Sequence, residues 1–120
     1  MAKILVVDDS ASMRQMVSFA LKSAGHSTID AEDGKKALDI CSQVGSIDLV
    51  LTDVNMPIMD GITLVKNLRG MPSFKFTPIL MLTTESGADK KSQGKAAGAT
   101  GWIVKPFTPD QLISTVARVL

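Results

Sequence analysis

Asp8-Asp9, Asp53, Thr83 and Lys105 are the residues best placed to do chemistry together, because each stands at the end of a short apolar run. Ile4-Leu5-Val6-Val7 precedes the acid pair, and Leu49-Val50-Leu51-Thr52 precedes Asp53. Ile79-Leu80-Met81-Leu82 precedes Thr83, and Trp102-Ile103-Val104 precedes Lys105. Short apolar runs separated by helical stretches read as buried parallel strands. On that reading all of these residues emerge at one carboxyl edge of a sheet, where open α/β folds bind ligands. Three carboxylates beside a hydroxyl and an ammonium suit two tasks. They can hold a divalent cation, and they can pass a phosphoryl group to a carboxylate.

Five β/α units fit the length and would position these groups. Ser12 reads as the cap of the first helix, with Gln15 three places on as a capping box. Met13, Met16, Val17, Ala20, Leu21 and Ala24 follow at helical spacing, and Gly25 stops the helix. The second strand, around Ser27 to Ala31, is the least apolar and reads as an edge. A second helix is expected over about Gly34 to Val44. A third follows Asp60-Gly61 and ends near Gly70. Met71 to Pro78 reads as a loop carrying Phe74 and Phe76, and about Asp89 to Ala97 as the fourth helix. The fifth has the clearest start: Thr108 as cap, Pro109 at the first position and Gln111 completing the box.

Composition narrows the classes. A chain of 120 residues with 45% hydrophobic content forms one domain, 1–120, with a real core, which excludes a disordered chain. No output domain is expected. A formal charge of +1 gives no push toward nucleic acid or membrane, so neither is expected as a partner, and a monomer is expected. Cys41 is alone, which leaves no internal disulfide and no cysteine-rich zinc site; it reads as a small apolar helix residue. The first apolar run stops at Asp8, too short for a signal peptide or a membrane span. His26, the single histidine, falls at a helix–strand connection and reads as a surface residue.

The ordered set resembles the receiver domain of two-component response regulators, nearest in type to the stand-alone chemotaxis receiver. Asp8-Asp9 look like its acidic metal pair, Asp53 like its phosphoacceptor, Thr83 like its switch hydroxyl and Lys105-Pro106-Phe107 like its lysine motif. Asp53-Val54-Asn55-Met56-Pro57-Ile58-Met59-Asp60-Gly61 resembles the family's signature loop. The match runs from Lys3 to Leu120. It implies a flavodoxin-like (βα)5 fold, a doubly wound parallel five-stranded sheet of order 2-1-3-4-5, and a cis peptide between Lys105 and Pro106. It also implies bacterial cytosol.

The resemblance further implies roles. Mg²⁺ would relieve the repulsion among the carboxylates, with Asp9 and Asp53 as direct ligands. Asp8 would act largely through water, and the Asn55 backbone carbonyl would supply another oxygen. Asp53 would attack the phosphorus, while Lys105 and Thr83 each meet one phosphoryl oxygen. Asn55 and Glu85, two places after Asp53 and Thr83, would tune self-dephosphorylation; both also read as solvated loop residues. The implied donor is a chemotaxis-type sensor histidine kinase. The implied output partners are a flagellar motor switch protein and a phosphatase. Lys90, Lys91 and Lys95 make the fourth helix basic, either as a solvated face or to steer an acidic partner.

Two departures stand out. Trp102 replaces the family's usual Tyr or Phe three places before the lysine, and reads either as a rotating switch or as a fixed wedge. Thr84 stands where many receivers have Ala or Gly. Three other functions compete. An aspartate-nucleophile phosphatase would want a second Asp where Asn55 stands. A flavin carrier on this fold would suffer from Asp8-Asp9 repelling the flavin phosphate, with only 4% aromatic residues to flank a ring. A receiver in a non-chemotactic phosphorelay or adaptor role is the closest alternative.

Overall fold

The computed structural model describes residues 2–44, 46–83 and 88–120. Strand and helix alternate along the chain as β1 (Lys3–Val7), α1 (Ala11–Ser23), β2 (Ser27–Ala31), α2 (Gly34–Gln43), β3 (Leu49–Asp53), α3 (Gly61–Arg69), β4 (Ile79–Thr83), α4 (Ala88–Ala97), β5 (Gly101–Val104) and α5 (Pro109–Val119). The strands form one parallel five-stranded sheet in the order β2-β1-β3-β4-β5. This is the flavodoxin-like architecture and strand order that the resemblance implies.

Alternation along each strand divides the core into two layers. Leu5, Val7, Val50, Ile79 and Met81 face one layer, with Ala37, Cys41, Leu64, Leu68 and Ala97 from α2, α3 and α4. Ile4, Val6, Leu49, Leu51, Leu80, Leu82 and Ile103 face the other, with Val17, Leu21, Leu112 and Val116 from α1 and α5. Strands β1, β3 and β4 are buried on both faces, so they read in sequence as unbroken apolar runs rather than as alternation. Each fully buried leucine in these layers would cost about 2–5 kcal/mol on truncation to Ala. That rigidity fixes the strand ends.

Helix starts follow from caps. Asp33, Asp60 and Thr108 each accept a backbone N–H from the residue three places on, and Thr108 with Gln111 forms the full capping box. The first helix departs from expectation. Its cap is Ser10, whose hydroxyl accepts the Met13 N–H, so the helix begins at Ala11, earlier than a start at Ser12. The reason lies upstream: the Ser10 N–H donates to Asp8 Oδ1, which turns the chain immediately after the acid pair. Gly25 ends this helix with a φ of 95°, a conformation that costs a glycine nothing. The Met71–Pro78 segment contains a 3₁₀ turn at Pro72–Phe74, which buries Phe74 and leaves Phe76 exposed.

Candidate functional site

In the sheet register Val7 lies beside Thr52, Asp53 beside Leu82, and Thr83 beside Val104. Asp8, Asp53, Thr83 and Lys105 therefore share the carboxyl edge of four neighbouring strands. Asp8 is fully buried, Asp53 half-buried and Asp9 exposed, and one carboxylate oxygen from each lies within 4.8 Å of the others. The Lys105 ammonium donates to Asp8 Oδ2 at 3.1 Å and lies 3.5 Å from Asp53 Oδ1. Its own backbone N–H donates to the Thr83 carbonyl at 2.6 Å, so the lysine turn is tied to the end of β4. The Lys105–Pro106 peptide is cis, as the resemblance implies.

Backbone geometry holds the acceptor loop just as closely. Asp53 Oδ1 accepts the Val54 N–H at 2.8 Å, and the Val54 N–H also reaches the Leu82 carbonyl. At Gly61, the first residue of α3, an added Cβ would lie 2.1 Å from the Asp53 carbonyl oxygen, so only glycine lets α3 start this close to the site.

The electrostatics leave a deficit. At an effective dielectric of about 20, like charges roughly 5 Å apart repel by about 3 kcal/mol, and a contact of roughly 3 Å gains about 5 kcal/mol. Three carboxylate repulsions thus about offset the two attractions to Lys105, and desolvation is left uncompensated. Burial accordingly pushes the Asp53 carboxyl above the usual aspartate range; Lys105 pulls it down and Asp8 pushes it up further, with the net shift upward. A divalent cation with hard oxygen ligands fits this donor set, since it neutralises charge that one ammonium does not.

The upward shift has a stability consequence with a definite sign. The folded state takes up a proton at Asp53 more readily than the unfolded chain does. Any stability this group contributes is therefore present in acid and lost as pH rises through its folded pKa. In metal-free solution Asp53→Asn should be more stable than the parent at neutral pH. The gap should narrow as pH falls toward about 4. Thermal melts of both proteins across pH would check it; a parent more stable than the variant at pH 7 would contradict the assignment.

The structure places the other expected residues as follows. Thr83 is buried at the end of β4. Trp102 is half-buried beside Met81 in the register and packs on the layer formed with α2, α3 and α4, the face toward which Thr83 also points by strand alternation. Asn55 is exposed on the loop after β3. Lys95 is exposed on α4. Glu85 and Thr84 lie outside the described residues, as do the side chains of Lys90 and Lys91. His26 sits at the opposite, amino edge of the sheet, where its Nδ1 accepts the Ala2 N–H. Cys41 is buried in the core, and desolvation raises its thiol pKa to about 11, consistent with an inert apolar role.

Two arginines carry more than their sequence context suggests. The Arg14 guanidinium donates to the Asp8 carbonyl at 2.6 Å and pairs with Asp30 at 3.1 Å. The Arg69 guanidinium donates to the Phe74, Thr77 and Gly98 carbonyls, joining the α3–β4 connection to the end of α4. Each ties a backbone carbonyl to a partner in a distant element, Arg14 through the Asp30 carboxylate and Arg69 through the Gly98 carbonyl, which leaves no local pattern to read.

Residues 4–117 match the model of the response regulator receiver domain. The chain is 40% identical to the chemotaxis protein CheY homolog of Campylobacter jejuni over 98% of its length and 92% of that protein. It is 44% identical to the chemotaxis protein CheY-3 of Vibrio cholerae, over 98% of this chain and 90% of that one. Among solved structures it is similar to the chemotaxis response regulator CheY4 of Vibrio cholerae, with a TM-score of 0.96, 53% identity and coverage of 100% and 99% of the two chains. No helix among the described residues is long and apolar enough to cross a membrane. With the strand order, the acid cluster at the carboxyl edge and these matches over nearly its whole length, the chain belongs to the response regulator receiver domain family.

Proposed function

We propose that this chain is a phosphorylation-operated receiver of a chemotaxis system, acting as a signalling domain in the cytoplasm rather than as an enzyme on external substrates. The observation that carries the reading is Asp53 at the end of β3, within reach of both Lys105 and the Asp8/Asp9 carboxylates. A carboxylate oxygen of Asp53 attacks the phosphorus of a kinase phosphohistidine. The new P–O bond forms as the P–N bond breaks, and the departing imidazole keeps its electron pair and takes up a proton. Lys105 and the Thr83 hydroxyl each meet one phosphoryl oxygen. Asp9 and Asp53, with Asp8 through water and the Asn55 backbone carbonyl, would hold Mg²⁺, which would supply charge neutralisation for the transferring phosphoryl group.

Output follows from the face that Thr83 and Trp102 share. A phosphoryl group that draws the Thr83 hydroxyl toward Asp53 opens space behind it, into which Trp102 moves. The surface of α4, β5 and α5 then changes its affinity for a partner, for which the flagellar motor switch is the leading candidate. A differential contact of a few kcal/mol suffices for such a population shift. Asn55 and Glu85 tune self-dephosphorylation, and a separate phosphatase would shorten the signal further.

Phosphotransfer tests the reading. A chemotaxis-type histidine kinase carrying label on its histidine should lose it to this chain when Mg²⁺ is present and keep it when Mg²⁺ is chelated. The phosphorylated chain should then bind the motor switch protein more tightly than the unmodified chain. A kinase that retains its label in Mg²⁺ overturns the proposal. Normal transfer with no change in motor-protein affinity would instead assign the chain to a non-chemotactic phosphorelay.

A further inference from the structure

Arg14 is not among the acidic, hydroxyl and ammonium groups to which the proposed reaction gives roles, yet it is tied to the site by its shortest contact. It sits in the first turn of α1, with its side chain 17% exposed. Its Nη1 donates to the carbonyl oxygen of Asp8, and its Nε pairs with Asp30 in β2. Asp8 is otherwise fixed on every polar group. Its N–H donates to the Ala31 carbonyl, its Oδ1 accepts the Ser10 N–H, and its Oδ2 accepts from Lys105. The Asp8 carbonyl belongs to the peptide unit that joins Asp8 to Asp9. Whatever holds that oxygen sets the rotation of the peptide plane, and so the direction in which Asp9 leaves the chain.

Asp9 is exposed and the least constrained of the three carboxylates. Its aim toward Asp8 and Asp53 therefore depends on the backbone of the turn. We infer that Arg14 is a positioning residue for the cation site: by clamping the Asp8 carbonyl to the end of β2, it orients Asp9 for ligation. This rests on the metal-site reading above. Groups that hold a ligand in place commonly change metal affinity by about 10–100-fold when removed. Asp9 is steered here through one peptide rather than by direct contact, so the lower end, about tenfold, is expected.

The sign separates this role from simple charge. Arg14 is a cation beside a site for cations. Removing it should tighten Mg²⁺ binding if its Coulomb field were its main effect. Removing it should weaken binding if it positions Asp9. Arg14→Lys keeps the charge but lacks the planar fork that spans both the Asp8 carbonyl and Asp30. It should therefore also bind Mg²⁺ several-fold more weakly, with its Coulomb contribution unchanged.

The test is a Mg²⁺ titration followed by backbone amide shifts of Asp8, Asp9 and Ser10, on the parent, Arg14→Ala, Arg14→Lys and Asp9→Ala, with a thermal melt of each. Weaker binding in both Arg14 variants, beyond any change in melting temperature across the series, supports the positioning role. Unchanged or tighter binding in Arg14→Ala, or parent-like binding in Arg14→Lys, overturns it and leaves Arg14 as a structural tie between α1 and β2. If Asp9→Ala binds Mg²⁺ like the parent, the metal-site reading itself has failed and the inference fails with it. Loss in Asp9→Ala with no loss in the Arg14 variants removes the inference alone.

Discussion

Asp53→Asn is expected to take phosphoryl incorporation to background, a loss of at least about a thousandfold, since removing a nucleophile outright costs that much or more. The amide oxygen is uncharged and does not form the acyl phosphate, while the substitution is otherwise quiet. Asn keeps an oxygen to accept the Val54 N–H, and it removes a charge that the half-buried site disfavours in the absence of metal. The variant should therefore be folded and at least as stable as the parent, so loss of labelling reports chemistry and not unfolding. Incubation with a small acyl phosphate and Mg²⁺, read by intact mass, should show one acid-labile phosphoryl on the parent and none on the variant. Equal labelling of the variant, or mapping of the label to Asp8 or Thr83, would remove Asp53 from the acceptor role.

What could be read from the chain and what could not divide along a physical line. The central strands were legible because burial on both faces leaves an unbroken apolar run ending abruptly in a polar residue, as in Leu49–Thr52 before Asp53. The start of α5 was legible because all its signals are local: Thr108, Pro109 and Gln111 lie within four residues and do what their spacing suggests. The start of α1 was misplaced because two serines compete there. The pattern at Ser12 and Gln15 is the better match on paper, but Asp8 Oδ1 already holds the Ser10 N–H and commits the turn earlier. A side chain of the site itself thus decides the helix boundary.

The cluster could be assembled from sequence because topology does the work: four strand ends in one register bring Asp8, Asp53, Thr83 and Lys105 together whatever the loops do. The second layer of support could not. Arg14 reaches Asp30 sixteen residues away, and Arg69 reaches Gly98 twenty-nine residues away. Arg69 spends its fork on carbonyl oxygens that every residue possesses, so residue type at the far end carries no information; Arg14 joins one such carbonyl, that of Asp8, to a carboxylate on another strand, a pairing that no local spacing marks. The same holds at Gly61, where the need for glycine comes from the Asp53 carbonyl in the preceding strand.

Asp9→Ala is expected to lower Mg²⁺ affinity by about a hundredfold while leaving the fold nearly untouched. Two effects add. On the proposed metal site one oxygen ligand is lost, and the facing charge falls from three carboxylates against one ammonium to two against one. Asp9 is the clean position for this test. It is exposed, so its removal should change stability by no more than about 0.5 kcal/mol. Asp8 is not: it is fully buried, paired with Lys105 and bonded through its backbone to Ala31 and Arg14, so its truncation would remove the nearer of the ammonium's two carboxylate partners and disturb the turn. Calorimetric or shift titrations of the parent and Asp9→Ala, alongside thermal melts, give affinity and stability separately. Unchanged Mg²⁺ affinity in a well-folded Asp9→Ala would mean that the cation, if it binds, does so without the acid pair's exposed member. The charge balance at Asp53 would then have to be restored by Lys105 alone, which the opposing repulsions and the burial of the site already make too weak for the task.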